Sequence, residues 1–385
     1  MKKNVIIFIG LLLIGIISFS SYFLLQKEND HASPKENVPL DTNLHASREL
    51  GTLDKSYQMT ATIGAIGDIL IHDRVYNDAK TDNGYDFKPM ISEVKALLQK
   101  PDVLLANQET LLGGVEIGLS SYPSFNSPQE VGDAFIDAGV DIVSTANNHT
   151  LDRGEKAILS QIDYLNRVGL PYVGSFKDPS DQQTLRVINK NGIKLAFLSY
   201  TYGTNGIPVP QGKDHLVNLI DQEKMKMEIH RAKKEADVVI MSIHWGNEYQ
   251  RFPSDQQKTL AQFLVNEGAD IIFGHHPHVL QPIEWLTDQN GRPALVVYSL
   301  GNFLSGQMWD YKDIGGLATI DITKEVTKSG VIIELKNPTF SPTFVANQGL
   351  QNYQVVPLQN AGVVGLENAQ GKYDEMIKHM TQWLH

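Results

Sequence analysis

The chain has 385 residues, 42% hydrophobic and 20% charged, enough apolar material for the core of one large domain or two small ones. Its formal net charge is −11 and no Lys/Arg cluster lies beyond the extreme N-terminus, which argues against nucleic acid as a partner. There is no cysteine, which excludes disulfides, thiolate zinc sites, a cysteine nucleophile and a lipoprotein anchor.

Lys2 and Lys3 precede an uncharged apolar run from Val5 to Leu25. As a helix it would span ~31 Å, about one bilayer core. The positive flank predicts an inside N-terminus and export of the remainder. Ser18 and Ser20 also suit a cleaved signal peptide, but the apolar run continues past them to Leu25. Residues 1–25 are therefore read as a transmembrane signal anchor. Residues 26–58 turn polar without a sustained apolar period and read as a tether.

Strand-type and helix-type runs alternate from residue 59 onward. Thr60 to Gly67 reads as a strand ending at Asp68, and Pro89 to Lys100 has helical spacing. Val103 to Ala106 is a short strand that ends at Asn107 and Glu109. Pro128 to Ala138 reads as a helix, Val140 to Thr145 as a strand ending at Asn147-Asn148-His149, and Glu155 to Val168 as a helix. Leu185 to Ile188 and Ile193 to Ser199 flank Asn191-Gly192, a hairpin signal. A helix over Asp221 to Ala236 leads to a strand, Val238 to Ile243, ending at His244-Trp245-Gly246. A helix over Ser254 to Glu267 leads to Ile271-Ile272-Phe273, followed at once by Gly274-His275-His276-Pro277-His278. Ala294 to Leu300 is a further strand, Leu317 to Ile322 and Val331 to Leu335 read as antiparallel, and Tyr373 to Leu384 as a closing helix. Residues 59–345 are taken as the main domain and 346–385 as a C-terminal extension. The βα alternation predicts a layered α/β fold.

Asp68, Glu109, Asn148, His149, His244, His276 and His278 each follow a buried-type strand, the position where open α/β sheets bind ligands. Two carboxylates, a carboxamide and several imidazoles without a thiolate suit borderline divalent metals such as Mn, Fe, Zn or Co. Asp68, Glu109, Asn148, His244, His276 and His278 are the expected ligands. Their number suggests two ions, with Glu109 as the bridging carboxylate. His149, beside Asn148, is placed to donate a proton to a leaving group. His275 reads as a neighbour of the cluster, and His72, four residues past Asp68, as a more distant one.

Ile66-Gly67-Asp68, Asn107-Gln108-Glu109, Ala146-Asn147-Asn148-His149 with Asp152 and Gly154, His244-Trp245-Gly246-Asn247-Glu248, Gly274-His275-His276-Pro277-His278 and Tyr298-Ser299-Leu300-Gly301-Asn302-Phe303 together resemble the CapA family of capsule and poly-gamma-glutamate synthesis proteins. The resemblance implies a calcineurin-like metallophosphoesterase fold, a four-layer sandwich of two mixed sheets flanked by helices. It adds Asn107, Asn147, Asp152, Glu248 and Asn302 as residues supporting the site or facing substrate. It further implies a single-pass membrane protein with an extracellular domain, working with a membrane synthase on an anionic polymer such as poly-gamma-glutamate. Two functions stay open: a metal-dependent hydrolase, and a non-catalytic component that binds or anchors the polymer.

Overall fold

The computed structural model describes residues 56–384. The expected membrane segment and residues 26–55 of the tether lie outside the described residues. Among the described residues no helix is long and apolar enough to cross a membrane.

Two mixed sheets carry the fold. β1 (Tyr57–Leu70), β2 (Val103–Gln108), β3 (Ile142–Ser144) and β4 (Tyr172–Val173) pair in parallel, each with the next. Parallel neighbours need crossovers, and α1 (Glu130–Ala138) and α2 (Gly154–Val168) supply them between β2 and β3 and between β3 and β4. The second sheet holds β5 (Arg186–Lys190), β6 (Ile193–Thr201), β7 (Val238–His244), β8 (Ile271–His275), β9 (Leu280–Thr287) and β10 (Pro293–Leu300), in the spatial order β9-β10-β8-β7-β6-β5. Helices α3 (Gln222–Glu235) and α4 (Asp255–Glu267) join β6 to β7 and β7 to β8. The chain then re-enters the first sheet as β11 (Asn302–Ser305), β12 (Ile314–Thr327), β13 (Gly330–Gln348) and β14 (Gln351–Pro357). That sheet runs β14-β13-β12-β1-β2-β3-β4, with β11 also paired to β1.

The near-continuous apolar strands of the second sheet follow from burial on both faces. Leu195, Phe197, Ile240, Ile271 and Phe273 join the core shared with β1 and β2. Their chain neighbours Ala196, Leu198, Val239, Met241 and Ile272 join a second core with Met225 and Ile229 of α3 and Leu260 and Leu264 of α4. Side-chain caps start both helices: Asp221 accepts from Lys224 N, and Ser254 and Gln257 form a reciprocal capping box, contacts worth about 1 kcal/mol each.

The hairpin expected at Asn191-Gly192 joins β5 to β6, with both turn residues at positive φ (53° and 84°). The single helix expected over Pro89 to Lys100 is instead broken into turns at Lys88–Ile91, Ser92–Val94 and Lys95–Leu98. The Ser92 hydroxyl donates to the Pro89 carbonyl at 2.9 Å, a local bond that competes with the helical ladder where the middle turn tightens. Met90, Ile91, Val94 and Leu98 are still buried, which is why the spacing looked helical. Residues 346–384 contribute the end of β13, the edge strand β14 and a closing helix, α5 (Ala369–Thr381), which begins four residues earlier than the sequence spacing suggested.

Where the chain passes from β10 to β11 the two sheets touch. Asp68 N donates to Gly301 O at 2.8 Å, and Asp68 lies in register with Asn302. A Cβ on Gly67 would stand 2.0 Å from Gly301 O, so only glycine permits this approach. The junction brings the C-terminal end of β1 against the second sheet.

Candidate metal centre

β1 runs through Asp68 to Leu70, past the end expected at Asp68, with its register shifting there, β2 runs out at Glu109, β7 ends at His244 and β8 at His275, and these residues converge between the sheets. Asp68, Glu109, Asn148, His244, His276 and His278 are all buried. One potential ligand atom each from Glu109, His276 and His278 lies within 4.8 Å of the others, and the same holds for Asp68, Glu109 and His244. Glu109 is common to both groups. Its Oε1 is 3.6 Å from His244 Nε2 and 3.7 Å from His278 Nε2, yet among the described residues neither carboxylate oxygen has a hydrogen-bond donor.

The backbone explains how three imidazoles crowd one corner. Past β8 the chain turns at Pro277, with His276 and His278 at φ 97° and 58°, conformations that non-glycine residues rarely adopt. His278 Nδ1 then sits 3.0 Å from Asp68 Oδ2. His275 Nδ1 is 3.3 Å from Asp68 Oδ1 without hydrogen-bond geometry, so His275 stands beside the cluster, outside both ligand groups. Asn107 donates to Asp68 Oδ1 at 2.8 Å and accepts from Ser144, fixing the carboxylate's orientation. Asn148 Oδ1 is 2.9 Å from His244 Nε2.

Burial sets the protonation of this cluster. It pushes the Glu109 carboxyl well above its ordinary value, with repulsion from Asp68, Glu248 and Asp152 adding to it. Burial also acts to raise Asp68, but the His275 and His278 imidazoles outweigh it and hold that carboxyl well below the usual range. His244 is driven well below its normal pKa by burial and then by His276. His276 is lowered to about 3, by burial first and His278 second. Neutral imidazoles are the form that ligates metals. The donor set therefore fits a divalent transition ion: a partnerless buried carboxylate, neutral imidazoles, and free Nδ1 atoms on His244 and His276.

His149 occupies a separate position at the same edge. Its Nδ1 lies 2.7 Å from Asp152 Oδ2, and its ring packs edge-on against Phe125 at 4.7 Å. Asn147 acts through the backbone: its side chain accepts from His149 N and donates to Gln108 O, locking the turn to β2. His72 packs edge-on to the same Phe125, with Nδ1 3.0 Å from Leu70 O and 3.2 Å from Gly306 N, and burial lowers its pKa to about 4. Asn302 is buried and donates to Lys312 O and Gln307 Oε1. Glu248 is exposed and outside the buried cluster.

Two contributors escaped the sequence reading. Asn205, at φ 51° in the loop after β6, accepts from Asn148 Nδ2 at 3.2 Å, and its own Nδ2 stands 3.4 Å from His149 Nδ1. Tyr202 lays its ring 4.6 Å from His276 and parallel to His244 at 6.3 Å. Tyr202 was findable by the strand-end rule, because β6 runs to Thr201 rather than Ser199. Nothing in Thr204-Asn205-Gly206 distinguishes it from an ordinary turn.

Two mixed sheets that gather carboxylates, carboxamides and imidazoles at their strand ends define the class: an α/β sandwich organised around a candidate divalent-metal cluster. Residues 62–307 match the model of the bacterial capsule synthesis protein PGA_cap, and the chain belongs to that family. It is 33% identical over 190 residues to the capsule biosynthesis protein CapA of Bacillus anthracis, covering 48% of this chain and 44% of that one. It is 31% identical over 222 residues to the PGA biosynthesis protein CapA of Bacillus subtilis (strain 168), covering 57% of each. The chain thus spans about half the length of the curated relatives it matches. Solved structures with a similar course include the Haemophilus influenzae NAD nucleotidase, at TM-score 0.43 and 12% identity over 84% of this chain and 59% of that one. The 5′-nucleotidase precursor of Thermus thermophilus gives TM-score 0.40 and 15% identity over 77% and 54%.

Proposed function

We propose that this is a membrane-anchored, outward-facing capsule synthesis protein of the CapA type whose cluster holds two divalent ions and supports phosphoester-type hydrolysis on a metallophosphoesterase plan. The observation that carries it is Glu109, a buried carboxylate shared by two ligand groups, both of whose oxygens lack a hydrogen-bond partner among the described residues. Leaving such a group bare is costly, and a bound cation held by Glu109 would remove that cost. Asp68, Glu109, Asn148, His244, His276 and His278 would hold the ions. Bound divalent ions supply Lewis acidity and lower the pKa of water.

The remaining work falls to the chain. Asp152, facing Nδ1 of His149, fixes the ring and leaves Nε2 as the nitrogen that hands a proton to a leaving oxygen. Asn205 accepts from Asn148 and fixes that carboxamide beside His149, and Tyr202 shields the His244 and His276 rings from water on one side. An anionic polymer such as poly-gamma-glutamate and the subunits of a membrane synthase are the partners this reading assigns. A second reading, a polymer-binding component without turnover, draws on His72. His72, the first histidine after Asp68, is engaged with Leu70 and Gly306 and stands outside both ligand groups.

The test is elemental analysis of the full chain, purified in detergent, with a screen of phosphomonoesters, phosphodiesters and poly-gamma-glutamate. Wild type should carry Mn, Fe, Zn or Co, and His276→Ala combined with His278→Ala should remove most of it while leaving a cooperative unfolding transition. Metal-free wild type, or equal metal in the folded double variant, would sink the proposal. Metal with no turnover on any substrate would select the binding reading.

A further inference from the structure

Beside the metal cluster lies a cavity of about 610 Å³, within the range of small-molecule sites. Tyr202 belongs to both places: it lines the cavity and its ring reaches His276 at 4.6 Å. The turn after β7 and the first turns of α4 add Trp245, Asn247, Asp255 and Gln256 to the lining. Gln222 of α3 contributes as well.

The chemistry of this lining is specific. Trp245 is buried, its indole N–H fixed on Tyr298 O at 3.0 Å, so it forms a rigid apolar wall. Tyr202 is about half exposed (48%) and offers an aromatic surface. The exposed side chains of Gln222, Asp255 and Gln256 have no hydrogen-bond partner among the described residues, and Asn247 shares only its Nδ2, with Gln250. Amides and a carboxylate together donate and accept, the complement of hydroxyl and acetamido groups. Among the described residues no lysine or arginine lines the cavity. A repeating carboxylate would meet Asp255 with no basic group in the lining to neutralise it, so charge disfavours a polyanion here.

We propose that this cavity is a saccharide-binding subsite that takes a neutral, hydroxyl- and acetamido-bearing sugar ring. The ring's C–H face lies against Tyr202, whose aromatic surface suits an apolar partner, and its polar edge is read by Gln222, Asn247, Asp255 and Gln256. The subsite places a glycan next to the metal cluster, whereas the polymer assigned above is anionic. Its binding needs no metal, so it stands or falls separately from hydrolysis at the cluster.

The test is saturation-transfer NMR with titration on the full chain in detergent, using N-acetylglucosamine trisaccharide, γ-linked triglutamate and triglycine as probes. The trisaccharide should bind saturably, with the same affinity after treatment with a chelator, while triglutamate and triglycine should not. Gln222→Ala combined with Gln256→Ala removes two exposed hydrogen-bonding groups and should weaken the trisaccharide about tenfold. Asn247→Ala gives an independent second reading of the same loss. The proposal is overturned if the trisaccharide shows no saturable binding, if triglutamate or triglycine binds as well, or if both variants bind like wild type.

Discussion

Glu109→Gln should make the metal-free protein more stable, although most substitutions of buried residues destabilise. Both oxygens of Glu109 are buried without a donor, and burial followed by Asp68 raises its pKa well above 4.5. An unmet buried polar atom costs about 1–3 kcal/mol, and glutamine, neutral and of the same shape, relieves one of the two. The 329 described residues (56 through 384) at about 2.1 cal/mol/K each give an unfolding entropy of about 0.7 kcal/mol/K, so the expected rise in Tm is about 1–4 °C. The sign with pH follows from the raised carboxyl. The folded state binds its proton more tightly, so metal-free wild type loses stability as pH climbs from 4.5 through the folded pKa. The advantage of glutamine therefore grows over that window. Added metal reverses the order: at a hundredfold excess over Kd it stabilises wild type by about 2.7 kcal/mol, or about 4 °C on the same scale, and the neutral variant by less. Scanning calorimetry at pH 5 and pH 8, with chelator and with Mn²⁺, reads all three effects. A chelated variant that melts below wild type at pH 8, or a gap indifferent to pH, would refute the reasoning.

His149→Ala should keep metal content and fold yet lower hydrolysis, or polymer output in cells lacking the native copy, by a factor of ~10²–10⁴; unchanged output at normal abundance counts against a proton donor there. Asp152→Asn removes the charge facing Nδ1, so it should cost less than His149→Ala and shift the pH profile, whereas a purely structural role would leave the profile in place. For topology, protease added to intact protoplasts should digest the domain from residue 56 onward, and a protected domain would refute an outward orientation.

The strand ends were legible because each buried strand writes its own local signal: an apolar run, then a polar residue at the edge. Asp68, Glu109, Asn148, His244, His276 and His278 stand out by that phase and by their donor chemistry, and the structure brings their side chains close together. Pro277 likewise announced the turn that pushes His276 and His278 into positive φ. What stayed hidden depends on contacts distant in the chain. β11 is four residues long, and its pairing with β1 exists only because Gly67 and Gly301 meet across the two sheets. Asn205 acts on Asn148 and His149 from 57 and 56 residues away, through a loop whose local chemistry is that of any turn. The cavity beside Tyr202 is shaped by α3, α4 and the turn after β7, none of which marks it locally. Local periodicity determined where strands and helices lie and which polar residues end them. Packing of one sheet on the other decided which of those ends share a charge, which carboxylate is left without a partner, and which aromatic ring divides the cluster from the cavity.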